Sequence, residues 1–336
     1  MRQHEVIDVH AHVVPPSLVD RIRATAESLP SVTLSQTDDG RTLIGLPRSA
    51  ALGAPRPPIP GLLDIESAMT RMDDQGIDLA IISIWPDLLG SLLPPAESVA
   101  WAACINDSLM EVVDGQDRLR ALACVPLQSD QPAAEVERAK MLGFVGVEIG
   151  TRVLEHELDS EHLDQFWHAC AELAMPVFVH PLFYGGDPRL ADNKPYGLAN
   201  SIGRMNDTTI AISRLLLAGV PLKHPGLQLI VAHGGGAVPY LIGRIGNVHT
   251  LNPEYADAYD GFSHLHFDSV IFDPETLEYL IAKAGRTHVL LGSDYPFANG
   301  DPQPTKIVTD ARVDDEARGL VFGGNASRIF GLGGHV

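Results

Sequence analysis

His10 and His12 stand one residue apart in "EVIDVHAHVV" (5–14), at the end of an apolar run near the start of the chain. Val6, Ile7 and Val9 favour a strand, and in a strand residues two apart point to the same side. Two imidazoles so placed can both reach one metal ion. Alone, the pair fits two surface histidines equally well. Three further apolar runs end on residues of the same chemistry: "PVFVH" at His180, "LQLIVAH" at His233 and "HVLLGSD" at Asp294. Imidazole and carboxylate at four strand ends form a ligand set that chance rarely assembles. Zinc accepts His nitrogen and Asp oxygen, and a catalytic zinc keeps one position open for water. Manganese or iron tolerates the same ligands.

Such residues can meet only if the fold brings those strand ends to one rim. Eight strands are read at 6–10, 79–84, 119–125, 144–149, 176–180, 227–233, 264–269 and 288–294. Most are apolar on both faces, as strands between an inner core and a helical layer are. Helical stretches lie between them. One starts at Asp64 and stops at Gly76, another stops at Gly143, and a third ends before Pro176. This alternation predicts a (β/α)8 TIM barrel over 1–336 as a single domain, with its site at the C-terminal ends of the strands. An open doubly wound sheet is disfavoured, because no glycine-rich phosphate loop follows the first strand. Residues 31–46 read as a β-hairpin turning at Asp39-Gly40, and 47–61 as a Pro- and Ala-rich loop. Together, 31–61 form an insertion after strand one, over the active site. A second long connection spans 181–207.

The chain has 336 residues, 45% hydrophobic and 20% charged, enough for a large core. Its net charge of −19 leaves no basic face for nucleic acid. Cys104, Cys124 and Cys170 are odd in number and widely spaced, which points to reduced thiols. No signal peptide and no membrane span is read, so the expected location is cytoplasmic.

The motifs "IDVHAHVVPP", "GFVGVEIGT", "VFVHP", "DTTIAISRLLLAGV", "HPGLQLIVAHGGGAVPYLIGRI", "LLGSDYPF" and "GGNASRIFGL" run in order along the chain. In them the sequence resembles the amidohydrolase superfamily, and within it the aminocarboxymuconate-semialdehyde decarboxylase-like family of metal-dependent nonoxidative decarboxylases. The resemblance implies His10, His12, His180 and Asp294 as ligands of one divalent metal per chain, zinc first and manganese second. It implies His233 as a general acid/base beside a metal-activated water, with Asp294 also catalytic. Arg244, in "IGRI", would cross the interface of a homodimer to bind a substrate carboxylate in the neighbouring active site. Glu148 occupies the strand-four position where binuclear relatives carry a carboxylated lysine; here it reads as a support rather than a ligand. Asp268 would fix the tautomer of a ligand imidazole. Trp85 and Phe297 would wall the pocket.

One position departs from the family pattern. The hairpin arginine that would grip a substrate carboxylate falls on Ile44. Arg41 and Arg48 are near but out of step, and a one-residue slip turns a strand side chain to the other face. Arg48 is kept as a substrate-binding candidate, and the aminocarboxymuconate semialdehyde substrate is put in doubt. The resemblance implies a carboxy-lyase for a small unsaturated or aromatic carboxylic acid. The alternative is a hydrolase or hydratase acting on a ring-cleavage product, amide or lactone.

Overall fold

A computed structural model describes residues 5–47, 55–154, 156–182 and 196–333. Its eight barrel strands are β1 (Ile7–Val13), β2 (Leu79–Ile84), β3 (Leu119–Cys124), β4 (Gly146–Ile149), β5 (Val177–Val179), β6 (Leu229–Val231), β7 (Leu265–Asp268) and β8 (Val289–Leu290). They pair in chain order, every pair parallel. Main-chain bonds close the ring. Val9 N–H donates to the Leu291 carbonyl at 2.9 Å, and Asp294 N–H to the His10 carbonyl at 2.8 Å. The expected (β/α)8 barrel is the fold.

Two cores explain why the strands are apolar on both faces. Ile7, Val9, Leu79, Ile81, Leu122, Phe178, Ile230 and Leu290 fill the barrel, joined by Ile329 and Phe330. The alternate residues, among them Ala80, Ile82, Val147, Val177, Val179 and Val231, pack outward beneath the helices. The helices stop where the sequence says. Helix 65–75 is capped by the Asp64 side chain on Ser67 N–H and ends on Gly76 at φ +65°, a left-handed conformation that glycine adopts freely.

β1 carries one extra residue. Asp8 pairs with Ala80 but Ala11 pairs with Ile82, so a bulge lies between them. It changes which side chains face inward. Ile7 and Val9 belong to the inner core, and so does the ring face of Phe178, 4.9 Å from the ring of His10. Without the bulge, strict alternation would turn His10 and His12 outward.

The strand limits differ from the sequence reading. β1 runs to Val13, so His12 lies within it rather than past it. β8 stops at Leu290, four residues before Asp294. There side chains take over from the ladder: Ser269 Oγ accepts Gly292 N–H at 3.1 Å, and Asp8 Oδ1 accepts Ser293 N–H at 3.0 Å. A Cβ at Gly292 would lie 3.1 Å from the Cβ atoms of both Asp268 and His10, so a larger residue there would have to push those side chains aside by a few tenths of an ångström.

The hairpin is present, with strands 33–36 and 42–45 antiparallel and Leu34 opposite Ile44. Arg48 lies outside the described residues. The insertion returns through helix 60–63, where the Leu62 carbonyl accepts Val14 N–H at 2.7 Å. The second long connection ends earlier than expected, because a wide turn at 199–203 runs into a helix already formed at Arg204. Among the described residues, no helix is long and apolar enough to cross a membrane.

Candidate active site

Five side chains converge at the C-terminal mouth of the barrel. His10 and His12 come from β1, His180 follows β5, His233 follows β6 by two residues, and Asp294 follows β8. His10 Nε2 lies 3.1 Å from His12 Nε2, and each lies 3.3 Å from Asp294 Oδ1. A tetrahedron with 2.0–2.1 Å bonds has edges of about 3.3 Å, so these three atoms form one face of a zinc-like site. The ring of His180 stands 5.1 Å from those of both His10 and His12.

The hydrogen bonds orient these donors. His10 Nδ1 donates to Asp268 Oδ2 at 2.6 Å, which leaves Nε2 as the free lone pair. Ser83 Oγ lies 3.4 Å from the Ala11 carbonyl and 3.0 Å from His12 Nδ1. With its own proton on the carbonyl, Ser83 accepts the Nδ1 proton of His12 and turns that Nε2 inward too. Both nitrogens of His180 and Asp294 Oδ1 are buried without a hydrogen-bond partner. Native interiors rarely leave such atoms unpaired, and a cation among them would satisfy Asp294 Oδ1 and one nitrogen of His180.

Charge tells the same story. Burial pushes the His10 imidazole down, but Asp294 and Asp268 outweigh it and raise it to about 10. Burial lowers His12 to about 4 and His180 well below its usual value. Burial would raise Asp294, yet His10, His12 and His233 hold it well below the carboxylate range. The buried carboxylates thus favour positive charge among these donors.

His233 is placed differently. Its Nε2 lies 3.4 Å from Asp294 Oδ2, the oxygen turned away from the three-atom face. A group of donors within 4.8 Å of one another comprises His10, His180, His233 and Asp294, and so includes His233 where the sequence reading has His12. The 3.1 Å and 3.3 Å contacts of His12 favour His12 as the closer donor. His233 is also the most exposed of the five, at 11% for its side chain. His233 and Asp294 both have positive φ, +56° and +57°. Such backbone costs about 1–3 kcal/mol per residue and persists mainly at functional sites.

The other sequence candidates are placed as follows. Glu148 points inward from β4 with Oε1 3.9 Å from His12 Nδ1, and burial raises its carboxyl to about 8. Phe297 sets its ring 5.4 Å from that of His12. Trp85 is buried in the outer core, with Arg56 stacked 5.4 Å over its ring. Arg244 is exposed on helix 238–251. Arg41 is exposed, with its Nε bonded to Asp39 on the hairpin turn at 2.8 Å.

A model of the amidohydrolase family matches residues 7–332. The chain belongs to the amidohydrolase family. This amidohydrolase is 28% identical over 279 residues to a 2-amino-3-carboxymuconate-6-semialdehyde decarboxylase of Dictyostelium discoideum, covering 80% of this chain and 77% of that one. It is 28% identical over 290 residues to a gamma-resorcylate decarboxylase of Polaromonas, covering 81% and 89%. A crystal structure of a dihydroxybenzoic acid decarboxylase from Polaromonas, with bound manganese and the inhibitor 2-nitroresorcinol, superposes with a TM-score of 0.77. It is 24% identical and covers 99% of this chain and 98% of that one.

Four neighbours of these donors escape the sequence reading. Ser83 orients His12, and Asp8 ties β1 to Ser293. Asp8 had a visible signal, an acid inside an apolar strand. Arg56 and Arg204 had none, because they reach the rim from remote segments.

Proposed function

We propose that this amidohydrolase is a metal-dependent nonoxidative decarboxylase acting on a small aromatic or unsaturated carboxylic acid. The observation that carries this reading is the three-atom face of His10, His12 and Asp294, with the unpaired His180 beside it and His233 on the outer oxygen of Asp294. These residues fit a single divalent ion held by His10, His12, His180 and Asp294. Zinc suits the edge lengths, and manganese is the ion of the Polaromonas neighbour. A divalent ion there would hold substrate oxygens and offset negative charge developing on them.

His233 carries the proton. Its protonated Nε2 delivers H⁺ to the ring or alkene carbon that bears the carboxylate. The C–C bond to the carboxylate then breaks, its electron pair restores the unsaturated system, and CO2 leaves. One proton is consumed per turnover, and solvent returns it to His233. Asp294 Oδ2 holds the imidazole in place throughout. Asp268, Ser83 and Glu148 keep the donor set aligned, and Phe297 covers it. Arg244 of a partner subunit completes the carboxylate pocket in a homodimer.

The test is a panel of acids on metal-loaded protein, including 2,6-dihydroxybenzoate and aminocarboxymuconate semialdehyde. CO2 release with formation of the decarboxylated product supports the reading. Added water, or opening of an amide or lactone without CO2, would make the enzyme a hydratase or hydrolase.

A further inference from the structure

With Ile44 5% exposed and packed in the core, and Arg41 held by Asp39, the hairpin as far as it is described presents no cation to the site. A different guanidinium stands there. Arg204 opens helix 204–217, and its Nη1 donates to the carbonyl of Pro181, the residue after His180, at 2.8 Å. Across the rim, Arg56 Nε lies 3.4 Å from Oδ2 of the buried Asp87 side chain. Burial weakens the hold of Arg204 on its proton, while the charges of Asp87, Asp294 and Asp207 strengthen it and that of Arg56 opposes it. Asp87 is already paired with Arg56. A half-buried guanidinium anchored by one nitrogen to the backbone beside His180 keeps the rest of its planar fork for another partner, and that fork suits a carboxylate.

We propose that Arg204 binds a carboxylate of the substrate from within its own subunit, with the Arg56–Asp87 pair fixing the rim beside it. The substrate class rests on the decarboxylase reading, but the binding itself needs no turnover. The carboxylate contact that the hairpin lacks at Ile44 is thus made from the start of helix 204–217.

Calorimetry on metal-loaded protein tests this with two probes, 2,6-dihydroxybenzoate and resorcinol, the same ring without the carboxylate. Both are measured in a His233→Ala background so that the acid is not consumed. Arg204→Gln keeps a donor for the Pro181 carbonyl but removes the charge. It should weaken the acid by roughly 10- to 150-fold, the range for one charge-assisted contact, and leave resorcinol within about threefold. Arg204→Lys should restore part of the preference and carries the test if the Gln variant does not fold. Equal losses for both probes, no loss for the acid, or no carboxylate preference in the parent would each overturn the assignment. An acid that binds through Arg204 but releases no CO2 from the unmutated enzyme would sink the decarboxylase reading alone.

Discussion

Asp268 takes the Nδ1 proton of His10 on one oxygen at 2.6 Å and the N–H of Gly234, next to His233, on the other at 3.0 Å. One buried carboxylate therefore positions both the His10 imidazole and the loop that carries His233. Burial would raise its pKa, but the hydrogen bond and charge of His10 lower it. In Asp268→Asn, the amide oxygen can still accept from Gly234, but the amide nitrogen meets a ring nitrogen that must then accept. The His10 tautomer flips away from the metal. Metal affinity should fall about 10- to 100-fold, the usual effect of removing such a support. Competition with a chelator measures it, and an unchanged affinity would show that His10 is held otherwise.

His233→Ala should separate chemistry from metal binding. If His233 moves the proton, the variant keeps its metal and its melting temperature while kcat falls by about 10²–10⁴-fold. Elemental analysis and turnover on the same preparation decide it. A variant recovered without metal would place His233 among the ligands in place of His12.

The barrel and the convergence of its histidines with Asp294 were legible because periodicity and chemistry coincide there. Strands buried on both faces read as short apolar runs, and His180, His233 and Asp294 stand at or just beyond their ends. The bulge in β1 was not legible. Nothing in "IDVHAHV" marks an extra residue, and the sequence rule of alternation puts His10 and His12 on one shared face whether that face is inner or outer. What fixes the face is a tertiary bond network through Asp8, whose carboxylate is paired with residues 63 and 285 positions away. The Arg56 and Arg204 positions were hidden for the same reason, since side chains at loop ends have no period to betray them.

The Asp8 network makes its own prediction. Its buried carboxylate accepts His10 N–H at 3.1 Å, Ser293 N–H at 3.0 Å, Ser293 Oγ–H at 2.5 Å and Arg71 Nη1 at 3.1 Å. Asp8→Ala leaves those donors unmet and Arg71 without its partner. A loss of about 3–5 kcal/mol is expected, as for removing one side of a buried ion pair. Urea unfolding of the apo-protein reads the loss free of any metal contribution. A change under about 1 kcal/mol would mean that the bulge holds without Asp8.

Acid stability should depend on His266, which lies far from the ligands, on β7. Its Nε2 donates to Gln228 Oε1 at 2.8 Å, and its ring stacks 4.8 Å from that of His288. Burial, then the positive charge of His288, Arg328 and His264, lowers it to about 3. The unfolded imidazole takes a proton near pH 6.5, so between pH 6.5 and 3 the unfolded chain binds more protons and stability falls as pH falls. The slope from this group approaches about 1.4 kcal/mol per pH unit within that window. His266→Gln can keep the bond to Gln228 without titrating. Unfolding free energies at pH 7, 6 and 5 should fall less steeply for the variant, and parallel curves would remove His266 from the acid limb.

Assembly can be read through complementation. Arg244 is exposed on helix 238–251 together with Tyr240, which is 80% exposed. If that helix meets its twin in an isologous dimer, each subunit lends Arg244 to the other's site. Arg244→Ala should then cost roughly 10- to 150-fold in kcat/KM, the range for one charge-assisted contact to a carboxylate. Mixing it with His233→Ala gives a sharper test. In a mixed dimer, one site collects both lesions and the other has none. Random exchange makes half the dimers mixed, so about a quarter of all sites are intact. Activity should rise toward that fraction as the chains exchange, and the rise should track the mixed species seen by native mass spectrometry. Mixed dimers that form without recovering activity would mean that Arg244 works in its own subunit or not at all.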